Sequence, residues 1–160
     1  MPVTPKLRPM LWFDNQAEEA AKFYVSIIPN SKILEVSRYG DIGHGKKGSV
    51  MTVAFRLGDF ELVALNGGPQ FKFSEAISLV IEVETQEEVD RYWKALTADG
   101  GEEGPCGWLK DRYGLSWQVV PSAAIRNLSE TDQKKTDRVM AAVMQMKKFD
   151  VRKIEAAVRG

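Results

Sequence analysis

The chain has 160 residues, 44% of them hydrophobic and 28% charged, the balance of a soluble globular protein and enough for one domain or two half-modules sharing a core. Its 22 basic and 22 acidic residues cancel, which argues against a nucleic-acid-binding face with its basic excess and leaves self-association unopposed by net charge. The single cysteine excludes an intrachain disulfide and a cysteine-based metal cluster, and no window approaches the ~18 apolar residues of a membrane span.

The opening MPVTPKLRPMLWF has no long apolar run after its basic residues, so it does not read as a secretory signal, and the expected location is the cytoplasm. Leu7 to Phe13 reads as a strand. Asn15-Gln16-Ala17-Glu18 then opens a helix, with Asn15 as cap and Glu18 as its capping-box partner. Ala17, Ala20, Ala21, Tyr24, Val25 and Ile28 fall on one face of it, and Pro29-Asn30 ends it. Three strand-like runs follow: Lys32 to Tyr39, Ser49 to Leu57 and Phe60 to Leu65, the last two joined at Gly58-Asp59.

His44 is the only histidine. It lies in the Gly-rich, charged loop between Tyr39 and Gly48. One reading is a flap whose imidazole acts near neutral pH; the other is a solvated loop residue. These glycines do not lead a strand into a helix, so a dinucleotide or phosphate loop is excluded. Asn66 to Phe73 is a turn-rich linker or a rim loop, with Asn66 offering an amide and Phe71 or Phe73 closing over a ligand.

The pattern returns seventy residues on. A strand over Ala76 to Val83 leads to Thr85-Gln86-Glu87-Glu88, which has the same cap logic. Val89, Tyr92, Trp93 and Leu96 repeat the apolar stripe, and Asp99-Gly100-Gly101 ends the helix. The offset pairs Asn15 with Thr85, Gln16 with Gln86, Glu18 with Glu88 and Phe23 with Trp93. Glu102 to Asp111 and Leu115 to Val120 then form a hairpin across Tyr113-Gly114, with room for an extra short strand. No histidine lies near Cys106 in sequence to serve as the base a nucleophilic thiol needs, and only folding could bring His44, so a structural thiol is expected. Asp111-Arg112-Tyr113-Gly114 reads as a turn that Asp111 caps. Strand alternation sends Leu115, Trp117 and Val119 under the helices and Ser116, Gln118 and Val120 to the other face.

Residues 122–160 carry no strand signals. A helix is expected over Thr131 to Met146, with Val139, Ala142, Val143 and Met146 on one stripe. A second, short one carries Val151, Ile154 and Val158. The methionines at 140, 144 and 146 suit either an adaptable binding surface or packing against the body or a second subunit.

LWFDNQAEEAAKFY (11–24), LNGGPQFKFSEAISLVIEV (65–83) and CGWLKDRYGLSWQVVP (106–121) together resemble the PhnB-like branch of the vicinal oxygen chelate superfamily, the glyoxalase/bleomycin-resistance/dioxygenase fold. Many members of that branch carry the label 3-demethylubiquinone-9 3-methyltransferase. The resemblance implies an α+β fold of paired βαβββ modules, about 5–68 and 74–121, curled into one mixed-sheet cup over residues 1–121, with 122–160 as a C-terminal helical extension. It implies a homodimer. In its enzymes, His, Gln and Glu at four strand positions bind a divalent metal that chelates substrate oxygens.

Those positions fall near Pro9, at Ala64 or nearby Asn66, near Ser78, and at Gln118. None is a histidine, and Glu61 and Glu82 are the nearest carboxylates, so the set offers mostly neutral oxygens where a divalent ion wants anionic or imidazole ligands. The expectation is therefore no metal and no cofactor. The cup would bind a small organic molecule, lined by Trp12 (or Phe13), Asn66, Phe71, Ser78, Trp108 and Gln118, with His44 on a possible flap. No nucleic acid or membrane partner is expected. The alternative is a metal-dependent lyase, isomerase or dioxygenase using Glu61 or Glu82, Gln118 and His44. A third reading is a purely structural dimer module. The methyltransferase label lacks chemical support: the first strand ends in Phe13-Asp14-Asn15-Gln16, with no glycine turn for a methyl donor.

Overall fold

The structure, a computed structural model, describes residues 1–128 and 131–160, and the chain divides into two compact units, Met1–Lys72 and Phe73–Gly160. In the first unit β1 (Met10–Phe13), β2 (Lys32–Arg38), β3 (Val50–Leu57) and β4 (Phe60–Asn66) form one sheet in the order β1-β4-β3-β2, and α1 (Ala17–Ile27) follows β1. β1 is parallel to β4; the other pairs are antiparallel. Alternation sets the faces. Leu11, Phe13, Val53, Phe55, Leu62 and Ala64 are buried, as are Ala17, Ala20, Ala21 and Tyr24 of α1, which packs on β3 and β4. The alanines leave room for the helix to lie close. A fully buried side chain such as Phe55 or Leu62 contributes about 1.5–3 kcal/mol.

Two expectations for this unit are corrected. β1 starts at Met10, not Leu7. Pro9 has no N–H to donate to a ladder, although its carbonyl accepts from Val63 N–H at 3.0 Å. Asn15 does not cap α1 either. The N-cap residue is Gln16, which makes no side-chain cap hydrogen bond. Instead Asn66 Oδ1, from the end of β4, accepts from Ala17 N–H at 2.8 Å, satisfying one of the helix's unpaired first donors. α1 stops at Ile27 because Ile28, before Pro29, is held extended (φ −90°, ψ 123°).

The second unit repeats the plan. β5 (Ser78–Val83), β6 (Glu102–Glu103), β7 (Trp108–Lys110) and β8 (Ser116–Pro121) are ordered β5-β8-β7-β6, with β5 parallel to β8 and α2 (Gln86–Thr97) after β5. The capping box at Thr85 and Glu88 is present. Val89, Tyr92, Trp93 and Leu96 are buried at the same 3-1-3 spacing as Ala17, Ala20, Ala21 and Tyr24. The expected continuous run from Glu102 to Asp111 is instead two short strands. Pro105 supplies no N–H, and Cys106 (φ 55°) and Gly107 (φ 78°) take left-handed conformations that turn the chain.

The C-terminal segment belongs to this unit. It holds α3 (Ser122–Leu128), α4 (Gln133–Val143) and α5 (Val151–Arg159), and α3 directly after Pro121 was not expected. Residues 129 and 130, also covered by the tail reading, lie outside the described residues. α4 is shorter than Thr131 to Met146. Asp132 caps its start, accepting from Lys135 N–H at 3.3 Å. Beyond Val143 the carbonyls of Met146 and Lys147 accept from Cys106 and Gly107 N–H, each at 2.8 Å, which draws the chain off a helical course. Ala124, Val139, Val143, Phe149 and Ile154 form a buried cluster, with Cys106, Val120 and Met146 packed on it. Gln86 closes the joint: its amide donates to Phe149 O at 3.0 Å and accepts from Val151 N–H at 2.8 Å.

Candidate functional site

Strand β8 presents two faces. Leu115, Trp117 and Val119 are buried at 1%, 2% and 0% exposure, as alternation requires. On the opposite face Gln118 stands between Val80 of β5 and Trp108 of β7, and its Nε2 donates to Ser78 Oγ at 3.0 Å. Two of the four positions carried over from the superfamily therefore meet each other. One step along β8, Ser116 lies between Ser78 and Lys110. A pocket of about 440 Å³ opens here, lined by Trp108, Lys110, Ser116, Pro105, Glu75 and Glu102 among others. Ser116 is 1% exposed, and its Oγ has no hydrogen-bond partner. A buried polar group left unpaired costs about 1–3 kcal/mol. Lys110 pairs with Glu75. The hydrogen bond from Lys110 holds the Glu75 carboxyl below its ordinary value, and the same bond raises the Lys110 ammonium.

The corner before β8 fixes this face. Asp111 is 2% exposed. Its Oδ1 accepts from Tyr113 N–H at 2.8 Å and from Leu115 N–H at 3.1 Å, and its Oδ2 accepts from Trp117 Nε1 at 2.8 Å. Gly114, at φ 85°, completes the turn. The carboxylate is thus a structural hub that locks Trp117. Cys106 is half-buried in the turn gripped by the tail.

In the first unit Trp12 Nε1 donates to Gly68 O at 2.9 Å, and the Phe71 ring meets the indole edge-on, with centroids 4.9 Å apart. A side chain at Gly67 would strike that indole, since a Cβ there would lie 2.4 Å from it. Trp12 and Phe71 therefore come together as one aromatic cluster under the linker. A separate pocket of about 590 Å³ is lined by Asp14, Tyr39, His44, Lys46, Asn66 and Gln70 among others. His44 is exposed at its edge. Asn66 has both ends of its amide engaged, accepting from Ala17 and donating to Val50 O at 3.1 Å, and its carbonyl accepts from Tyr39 Oη at 2.5 Å.

The donor set does not suit a catalytic divalent metal. Ser78 and Gln118 offer neutral oxygens. In the first sheet the register counterpart of Gln118 is Val63, because Met10 faces Val63 as Val80 faces Gln118. Ala64 is fully buried on the helix side. Glu61 pairs with Lys6 at 2.5 Å, and that contact lowers its carboxyl pKa. Glu82 is exposed. Among the described residues no three His, Cys, Asp or Glu side chains group as a metal site. Lys110, Glu75 and Glu102 were not among the expected ligand contacts, and Ser116 was expected only near Gln118 on the same face. Alternation along β8 exposed Ser116 as a candidate; the linker's placement of Glu75 had no local signal.

Residues 5–120 match the family described as 3-demethylubiquinone-9 3-methyltransferase. Among solved structures, the PhnB protein from Bacillus cereus is 34% identical, covering 73% of this chain and 99% of its own, with a TM-score of 0.65. Protein PA1353 from Pseudomonas aeruginosa is 22% identical over 74% of this chain and 98% of its own, at a TM-score of 0.61. The fosfomycin resistance protein FosX from Listeria monocytogenes, solved as a variant with Mn(II) and a dihydroxypropylphosphonic acid, is 13% identical over 74% of this chain and 93% of its own, at a TM-score of 0.54. No curated protein matches.

Proposed function

Since the chain belongs to the 3-demethylubiquinone-9 3-methyltransferase family, a PhnB-like branch of the vicinal oxygen chelate superfamily, we propose that it binds a small organic molecule on the open sheet face of its second unit without a catalytic metal. The observation that carries this reading is the pocket beside Trp108, lined also by Ser116, whose buried hydroxyl has no partner. A concave site that sets an aromatic wall beside convergent polar groups is a usual form of a small-molecule site, and here Trp108 supplies the wall and Glu75, Glu102, Glu103, Lys110 and Ser116 the polar groups. Ser78 and Gln118 are not in its lining but are the strand partners of Ser116 and Trp108, which are. Trp12 and Phe71 support the linker, Asn66 braces α1, and His44 is a secondary candidate in the other pocket. Residues 1–121 are the proposed binding domain, residues 122–160 an extension, and the protein is proposed to act as a cytoplasmic homodimer.

The family's methyl-transfer label finds no support in the residues. A methyl donor's nucleotide wants a glycine turn between a first strand and a helix, and β1 passes into α1 through Asp14-Asn15-Gln16. The positions carried over from the superfamily hold the amide of Gln118, the hydroxyl of Ser78 and hydrocarbon, while Glu61 of β4 is paired with Lys6 and Glu82 of β5 is exposed.

Native mass spectrometry of the protein as purified, with and without chelator, tests the reading. The expected result is a small organic adduct that survives chelation, is displaced intact and is lost in Trp108→Ala. A stoichiometric metal removed by chelator and by Gln118→Ala overturns it, as does methyl transfer from S-adenosylmethionine to a ubiquinone precursor.

A further inference from the structure

The pocket at Trp108 has a charge signature that narrows its ligand. Three of its lining residues are carboxylates, Glu75, Glu102 and Glu103, against one ammonium, Lys110. Glu75 already neutralises Lys110. Glu103 is engaged on its own side, accepting from Trp93 Nε1 at 2.6 Å. Glu102 makes no ion pair among the described residues, although its charge adds to the rise in the Lys110 pKa. Beside this negative excess lie the indole of Trp108 and the ring of Pro105. An indole face attracts a cation through its quadrupole, and the exposed carboxylates of Glu102 and Glu103 add a screened attraction of the same sign. Acidity alone would signify little. The second observation is Ser116, which lines the same pocket and whose Oγ, shut off from solvent, has no protein partner. A ligand hydroxyl or carbonyl would pair it and remove its desolvation penalty.

We propose that this pocket takes a compact organic cation, an amine or quaternary ammonium held against Trp108 and Glu102, whose hydrogen-bonding group reaches Ser116. The inference rests on the small-molecule reading of the same pocket and adds the sign of the ligand's charge. An anionic ligand would meet two uncompensated carboxylates, and a neutral one would leave their field unused.

Matched probes separate the two ideas. Choline, its neutral isostere 3,3-dimethylbutan-1-ol, the anion 3,3-dimethylbutanoate and tetramethylammonium are each titrated into the full ¹⁵N-labelled chain. The readout is the Trp108 indole N–H, identified as the signal missing in a folded Trp108→Phe variant. Choline is expected to shift that signal with a Kd at least tenfold below that of the alcohol. Glu102→Gln should remove most of that advantage and leave the alcohol's affinity unchanged. Ser116→Ala should weaken choline severalfold and leave tetramethylammonium unaffected. If the alcohol or the carboxylate shifts the Trp108 signal as strongly as choline, the cation assignment is wrong and the small-molecule site stands. If none of the four moves it, both fail at this pocket.

Discussion

At the residue scale, single polar side chains govern the corners of both units. Asp111 gathers two backbone N–H groups and an indole N–H at 2% exposure. Asp111→Asn would keep the acceptor at Oδ1 but set an NH₂ against Trp117 Nε1, donor against donor. The expected loss is about 2 kcal/mol of stability, read by urea denaturation, with the β8 indole environment altered in near-ultraviolet dichroism. The Asp-X-X-Gly spacing announced this residue, because a turn-capping aspartate works over three or four residues. Asn66 was announced as a rim amide, a cup-lining contact and a neighbour of one carried-over ligand position, never as a helix cap. Its bond to Ala17, 49 residues away, is invisible until β4 lies beside β1. Asn66→Ala should therefore cost about 1–2 kcal/mol, while Asn15→Ala, the cap that the sequence suggests, should stay within about 0.5 kcal/mol. Equal losses from the two would contradict the observed cap.

At the element scale the two helices reach the same place by different means. α2 carries its own start signal in Thr85 and Glu88, whose side chains answer each other's backbone N–H groups. Thr85→Ala should lower stability by about 1 kcal/mol. Glu88 also gives the cap a pH dependence. Its carboxyl is held below the ordinary value of 4.5 first by the hydrogen bond from Glu84 N–H, then by that from Thr85 N–H. A carboxylate with a lowered folded pKa stabilises fully above its unfolded value and loses that contribution as pH falls through the folded one. Melting temperature should thus drop below about pH 4.5 more steeply in the wild type than in Glu88→Gln. Parallel slopes would remove Glu88 from the account. α1 has no such box and relies on Asn66. The β6–β7 break is also an element-scale event: Pro105 and two left-handed residues outweigh the strand propensity around them. The proline and glycines were in plain view, but the conformation of Cys106 follows from the tail it holds.

At the scale of the whole molecule, one strand order appears twice, and the C-terminal helices complete the second unit. Gly107 is the tightest point of that joint. At φ 78°, an added Cβ would lie 2.6 Å from the Phe149 ring and 3.0 Å from Val119 O. Gly107→Ala should destabilise by about 2 kcal/mol and speed limited proteolysis within residues 144–150; unchanged cleavage would mean that the tail is held elsewhere. The sequence by itself determined the repeat, the helix stripes, the Gly58-Asp59 hairpin, the Asp111 corner and the family, because each is written in residues a few positions apart or in a long specific string. Only the tertiary structure decided which asparagine caps α1, that α4 stops at Val143, and that Ser116 sits unpartnered in a pocket with Trp108 and three carboxylates. Those features depend on groups brought together from distant positions, and neither periodicity nor local propensity carries information about such meetings.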